Sequence, residues 1–366
     1  MEIKSKIFIA GHKGLVGSAL LRRLNSEGYE SLLFCSHDDL DLTQQSDVEK
    51  FFKSEKPEYV FLAAAKVGGI WANKRYPAEF IYSNLAIQIN VLHAAKKIGV
   101  KRLIFLGSSC IYPRECPQPM KEDYLLTGPL EPTNQPYALA KIAGIIQCEA
   151  YNRQYKTRFL AVMPTNLYGP NDNFDLEDSH VLPALIRKFH LAKLAVVGDR
   201  NGVLKDESIF GSIPPDLKRS ITAISVHNGH KPIFNDYKPE PDNTSIELWG
   251  TGHPRREFLH VNDLAEGCVF LMNLPDDKYD NLLCTNSYPS INIGCGEDIT
   301  IKELSDIVKD IVGYKGTVKW DDSKPDGTPR KLLDISKLNN LGWSDSIKLK
   351  EGIKNTYEWY VKKQKK

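Results

Sequence analysis

The chain has no uninterrupted apolar run of about 18 residues, so no membrane-spanning helix is expected. Charge of one sign is not in excess: 48 Lys and Arg face 46 Asp and Glu, for a formal net charge of +2. Such a balance gives no reason to expect nucleic acid or an acidic membrane as partner. The seven cysteines (35, 110, 116, 148, 268, 284 and 295) have an odd count and no CxxC spacing. Neither a disulfide framework nor a zinc site is favoured. Residues 1–6 carry no secretory apolar segment. These absences lead to the expectation of a cytoplasmic protein with reduced thiols. No internal repeat and no metal-ligand cluster are apparent.

What is present is ordinary for a soluble globular protein, with 42% hydrophobic and 26% charged residues over 366 positions. That length suffices for one large or two modest domains. In the first half, short apolar strands alternate with amphipathic helices. Strands are expected at 6–10, 31–34, 59–64, 102–106 and 158–163, and helices at 15–26, 46–54, 84–98 and 137–155. Strand–helix alternation predicts an α/β fold whose doubly wound parallel sheet is covered on both faces. Ligands of such sheets sit at the C-terminal ends of the strands. After about residue 170 the pattern changes, with more loops and aromatics, as a smaller second lobe would give. The expected division is 1–170 and 171–366, with some later strands returning to the first sheet. Residues 199–245 are rich in Gly, Pro, Asn, Lys and Ser with weak periodicity, and the stretch near 195–245 reads as an insertion or a long excursion, partly ordered at best. Helices are expected again at 301–312 and 353–363, after a strand at 246–249.

Gly11, Gly14 and Gly17 form a GxxGxxG pattern between the first strand and first helix, with His12, Lys13, Leu15 and Val16 between them. Gly11 suits a tight turn, Gly14 a close approach to a pyrophosphate, and Gly17 close helix–strand packing. The helix N-terminus attracts the anion. The pattern points to a Rossmann-type dinucleotide site. At the end of the second strand, an acid would bind the ribose 2′-hydroxyl of NAD. Cys35, Ser36 and His37 stand there instead, with no acid until Asp38. Lys13 offers a cation to a phosphate, so NADP is preferred. Asp41 and Leu42 either pack around the adenine or form a helix cap.

Leu106-Gly107-Ser108-Ser109-Cys110 follows a buried strand, so its polar side chains should face the cleft. Tyr137 and Lys141 are four residues apart, one turn along a helix face. Ketone reduction needs a hydride donor and a proton donor. A free phenol has a pKa near ~10, and a neighbouring ammonium should lower it. Lys141 can also bond the nicotinamide ribose, and Ser108 or Ser109 the substrate carbonyl oxygen.

With these residues the chain resembles the extended short-chain dehydrogenase/reductases, and within them the GDP-L-fucose synthase family. The resemblance rests on 11–18, 68–70 (Gly-Gly-Ile), 107–113, 164–170 (Pro-Thr-Asn-Leu-Tyr-Gly-Pro), 256–261 (Arg-Glu-Phe-Leu-His-Val) and 323–331. It covers nearly the whole chain except about 195–245. It implies epimerisation of GDP-4-keto-6-deoxy-mannose at C3 and C5, then NADPH-dependent reduction at C4. It implies Cys110 as base and His180 as acid, beside Ser108, Tyr137 and Lys141. Taken alone, Cys110 would more often be a small packed core residue, and His180 could be a helix-start histidine. A free thiol near pKa ~8.5 and an imidazole near ~6.5 suit proton exchange at neutral pH. Further cofactor contacts implied are Leu106, Gly107, Ser109, Pro164, Thr165, Asn166, Leu167 and His180. Substrate contacts implied are Ser109, Cys110, Asn166, Lys188, Trp249, Arg256, Asp326 and Lys331. The resemblance also implies a homodimer, with the helices at 84–98 and 137–155 forming a four-helix bundle.

Two departures stand out. The arginine usual near 35–37 is missing, and the added stretch lies within the substrate lobe. The second raises an alternative within the family: C4 reduction of a GDP-4-keto-heptose in capsule sugar synthesis, with or without epimerisation. A more distant alternative is a nucleotide-binding protein without turnover; the presence of Ser108, Tyr137 and Lys141 speaks against it.

Overall fold

The computed structural model describes residues 1–237, 244–284, 287–324 and 326–365. It divides into two compact units built from interleaved segments. The first unit comprises 1–171, 257–297 and 331–347; the second comprises 172–256, 298–330 and the chain from Lys348 on.

The first unit begins β1 (Ile7–Ala10), α1 (Leu15–Ser26), β2 (Leu32–Leu33), α2 (Gln45–Glu55), β3 (Tyr59–Leu62), α3 (Ile70–Arg75), α4 (Pro77–Ile98), β4 (Arg102–Leu106), α5 (Gln135–Tyr155), β5 (Phe159–Pro164) and β6 (Asn166–Tyr168). In the second unit lie α6 (Val181–Val196), α7 (Arg200–Phe210), α8 (Pro215–His227) and β7 (Ser245–Trp249). Along β8 (Arg255–His260) the chain returns to the first unit, where α9 (Val261–Met272), α10 (Asp276–Cys284) and β9 (Ser290–Ile293) follow. A second excursion carries β10 (Asp298–Thr300), α11 (Ile301–Val312) and β11 (Thr317–Asp321). The chain ends with β12 (Arg330–Lys331), α12 (Ser336–Asn340) and α13 (Leu349–Gln364).

Six strands of the first unit form one parallel sheet in the order β2-β1-β3-β4-β5-β9. Alternate residues feed opposite faces, as the two-residue strand period requires. Ile7, Ile9, Phe61, Ile104 and Leu160 pack with Leu20 and Leu24 of α1 and Leu264 and Cys268 of α9. Phe8, Val60, Leu103 and Phe105 pack on the other side with Phe52, Val91, Ala95 and Ile145 of α2, α4 and α5. Both faces are therefore apolar, the signature of a parallel sheet covered by helices. The strand order reverses between β1 and β3, the switch point where such sheets hold ligands. β6 pairs in parallel with β8, setting Asn166 opposite Phe258.

Glu257, fully buried, ties the late segments of this unit together. Its carboxylate accepts from Gly296 N (2.8 Å) and Leu333 N (3.0 Å). Its carbonyl accepts from Asn166 Nδ2 (2.8 Å) and Thr165 Oγ1 (3.2 Å).

In the second unit, α7, α8 and α11 pack around α6, and β7 pairs in parallel with β11. Thr300 and Glu303 form a reciprocal capping box that starts α11. The expectation that 195–245 is at best partly ordered is corrected here: α7 and α8 occupy 200–210 and 215–227. Asp199 Oδ1 caps α7 by accepting from Gly202 N (2.9 Å), and Pro215 opens α8. Leu217, Ile221 and Ile224 are buried on one side of α8. Asp206 of α7 is fully buried against Arg187 of α6 at 2.8 Å. Arg187 also donates to the carbonyls of Phe174, Phe210 and Gly211, so its charge is fully dressed. The punctuating Gly and Pro residues mark helix ends rather than disorder. Residues 238–243 of that stretch lie outside the described residues.

Candidate active site

Gly11 closes β1 with φ +89, and a Cβ there would lie 2.8 Å from the Ala64 backbone at the end of β3. Only glycine fits this left-handed, crowded position. At Gly17 a Cβ would sit 2.1 Å from the Gly11 carbonyl oxygen, so α1 presses directly on the loop. Gly14, the N-cap of α1, differs: its Cβ would meet nothing nearer than 3.5 Å. The protein alone does not require glycine there. A cradle that a side chain would fill, at a helix N-terminus, fits a pyrophosphate. The exposed Lys13 lies in the field of Asp39. The His12 ring lies 4.9 Å from that of Phe34, and burial lowers its pKa.

Asp41 lies in a local turn ahead of α2, whose N-cap is Gln44. Its Oδ1 accepts from Thr43 N (2.9 Å) and Thr43 Oγ1 (2.8 Å), which depresses its pKa. The Leu42 carbonyl accepts from Asn90 Nδ2 of α4 (3.0 Å).

At the C-terminal end of β4 three predicted groups come together. Lys141 Nζ donates to the Leu106 carbonyl at 2.7 Å and lies 4.8 Å from the Phe105 ring centre. The Tyr137 ring centre is 5.8 Å from that ammonium, and the Ser108 hydroxyl acts on the phenol. Phe80 of α4 meets the Tyr137 ring edge-on at 6.2 Å. Gly107 N bonds the Val162 carbonyl of β5, holding 106–108 to the sheet.

The protonation states differ from the expectation. Burial raises the Tyr137 phenol above its ordinary value, and the Ser108 hydroxyl offsets this only in part. Burial lowers Lys141 to about 8. The ammonium is directed at a backbone carbonyl, so it does not depress the phenol as predicted. A tyrosine held firmly protonated is nevertheless in the state a proton donor needs.

Cys110 is buried in the short turn after Ser108, its N–H donating to Ser108 Oγ at 3.3 Å. Burial raises its thiol pKa, while Ser108, Lys331 and Lys141 oppose the rise. The thiol is therefore less ready to ionise than a free cysteine. Ser109 begins the same turn. Pro164 pairs with Ile293, Thr165 N bonds the Ile293 carbonyl, and Leu167 pairs with Leu259.

The second unit carries His180, Lys188, Trp249, Arg256 and Asp326, whereas Lys331 opens the last segment of the first. His180 is the N-cap of α6, but its side chain makes no capping bond, so the ring is not committed to the helix start. It is solvent-accessible, yet crowding by protein atoms lowers its pKa. Lys188 Nζ donates to the Glu247 carbonyl at 3.1 Å and lies 6.0 Å from the ring centre of Trp249, which is exposed. Arg256 Nη1 donates to the Arg255 carbonyl, and Asp326 acts on its charge. Asp326 accepts from Thr251 N (3.0 Å) and Thr251 Oγ1 (2.7 Å), shaping the turn after β7.

The family model of the NAD dependent epimerase/dehydratase family matches residues 7–204 and 220–294. GDP-L-fucose synthase 1 of Arabidopsis thaliana is 50% identical over 358 residues, covering 98% of this chain and 94% of that one. The chain belongs to the GDP-L-fucose synthase family. Among solved structures, a GDP-6-OMe-4-keto-L-xylo-heptose reductase from Campylobacter jejuni superposes with TM-score 0.87 at 43% identity, over 99% of both chains. A GDP-D-glycero-L-gluco-heptose synthase from the same organism, determined in the presence of NADPH, gives 0.85 at 42%, again over 99% of both.

Sequence reading missed three residues around this family's motifs. Lys324 Nζ lies 5.8 Å from the Trp249 ring centre, making a second cation beside that indole. Asp216 acts electrostatically on Lys188. Asp172 has a buried Oδ2 without a hydrogen-bond partner among the described residues, and burial raises its pKa to about 7. Lys324 lies within the quoted 323–331 motif and was within reach of sequence reasoning; the other two depend on tertiary placement.

Proposed function

We propose that this protein is a GDP-L-fucose synthase: it epimerises GDP-4-keto-6-deoxy-mannose at C3 and C5 and reduces C4 with NADPH. The observation that carries the chemistry is the grouping of Ser108, Tyr137 and Lys141 at the end of β4. The first unit is the cofactor domain and the second the substrate lobe. Gly11–Gly17, Lys13, Tyr137, Lys141 and 164–167 hold NADP(H), which supplies the hydride to C4 when bound.

In this reading Ser108 donates a hydrogen bond to the C4 oxygen, and Tyr137 gives that oxygen its proton. C3 and C5 flank the ketone, so polarising the carbonyl also acidifies their protons. Cys110 removes each proton and His180 returns one to the opposite face. Lys331 and Lys141 oppose in part the effect of burial on the Cys110 thiol, which stays raised overall. Lys188 and Arg256 meet the diphosphate as cations, Trp249 walls the site, and Asp326 orders the loop beside Arg256. NADP is favoured over NAD by Lys13 and by the lack of an acid at 35–37. Replacing Tyr137 by Phe tests this: reduction should fall at least about a hundredfold while NADPH binding persists.

The likeness to two Campylobacter jejuni heptose enzymes favours a second reading, C4 reduction of a GDP-4-keto-heptose. We further propose a homodimer through α4 and α5, whose exposed Tyr82, Ile89 and Leu139 suit an apolar interface. Sedimentation should give a mass of two chains. A cytoplasmic location accords with seven unpaired cysteines. Among the described residues no helix is long and apolar enough to cross a membrane.

A further inference from the structure

His180 makes no capping bond at the head of α6, so its placement depends on the chain that leads to it. That chain folds into a turn. Asp175 Oδ1 accepts from Glu177 N (2.9 Å) and Asp178 N (3.1 Å), and the Asp175 carbonyl accepts from Ser179 N (2.9 Å). His180 is the next residue.

The turn is held from outside, by α7 and α13. Phe174, just before Asp175, is 2% exposed. Its ring centre lies 5.5 Å from that of Phe210 on α7 and 4.8 Å from that of Tyr360 on α13. Its carbonyl accepts from Arg187 Nη1 (3.1 Å), and the same nitrogen donates to the Phe210 carbonyl (2.8 Å). One rigid guanidinium, anchored on Asp206, therefore joins the turn to the end of α7. The two also meet directly. Gly211 stops α7 with φ +94, and a Cβ there would stand 2.5 Å from Asp175 Oδ2. The turn's carboxylate occupies the space a side chain would need. Asp206, Phe210 and Gly211 all fall within 205–219, the stretch the family model leaves unmatched.

We propose that Phe174, Asp175 and Gly211 are positioning residues for His180: the end of the added helix α7 fixes the turn that delivers the imidazole. The added stretch thereby serves the epimerisation step. This rests on the reading of His180 as the group that returns the proton.

The test uses the full enzyme as Phe174→Leu and as Gly211→Ala, with 13C-labelled histidine and His180→Asn to assign the signal. Crowding lowers the His180 pKa in the native protein, so loosening the turn should bring its titration back towards about 6.5 in both variants. Deuterium uptake at C3 and C5 of the GDP-4-keto sugar in D2O should become at least about tenfold slower, the cost of a misplaced reacting group. Calorimetry should show GDP and NADPH affinities unchanged. A native His180 titration in both variants overturns the proposal whatever the enzyme's substrate, and so does loss of either affinity alongside, which would mark general disruption. Unchanged deuterium uptake in the variants overturns it too. If His180→Asn also leaves uptake unchanged, the proton-returning role is the part that failed.

Discussion

Lys141 shows how a residue's identity and its state separate. Its spacing from Tyr137 is visible in the sequence, and the helix places both at the end of β4. Its proton affinity is not visible there, because burial sets it. Tyr137 is raised rather than lowered, and the Cys110 thiol likewise. Cys110→Ser should abolish solvent exchange at C3 and C5 while leaving NADPH affinity unchanged, read by mass spectrometry in D2O. His260 gives a stability prediction. It is buried, its Nδ1 accepts from Asn262 N (3.2 Å), and burial lowers its pKa to about 4. Above pH 6.5 the imidazole is neutral whether the chain is folded or not, so its titration takes nothing from stability. As pH falls from 6.5 towards 4 the unfolded chain takes up the proton first, and about 3 kcal/mol of stability is lost. Denaturant titrations should show this acid arm, and His260→Asn should flatten it.

At the scale of elements, the glycine loop and the added helices behave differently. The loop was legible because its glycines answer local sterics: Gly11 needs positive φ and Gly17 a close approach. Gly17→Ala should lower both the melting temperature and NADPH affinity, since its Cβ meets backbone. Gly14→Ala should keep the melting temperature and lose NADPH affinity at least about tenfold, because only the ligand needs that space. Differential scanning fluorimetry with and without NADPH separates the two. The helices α7 and α8 were missed because their stability is tertiary. A polar Asp206 on α7 reads as surface until Arg187, Tyr360 and Gln364 are seen to bond it. Breaking the buried pair by Arg187→Met should cost about 3 kcal/mol, measured by urea unfolding. Their end signals were nonetheless present: Asp199 as cap, Gly211 as stop and Pro215 as start.

At the scale of the whole molecule, the alternating strands and helices of the first half were readable because each strand is apolar and each helix amphipathic. β9, which completes the parallel sheet from residue 290 onward, was expected only as a returning strand without a position. Its Asn292 is fixed by Tyr112 (2.5 Å), Glu122 (3.0 Å) and the Met120 carbonyl (2.9 Å), partners about 170 to 180 residues away in sequence. No local pattern could supply those contacts. The central claim concerns the reaction of the entire enzyme, and one measurement meets it directly. Turnover of GDP-4-keto-6-deoxy-mannose and of its GDP-4-keto-heptose counterpart is followed with NADPH in D2O, by absorbance at 340 nm and product NMR. The account predicts reduction of the hexose with deuterium at both C3 and C5. Reduction of the heptose alone, or of the hexose without deuterium at either carbon, would contradict it.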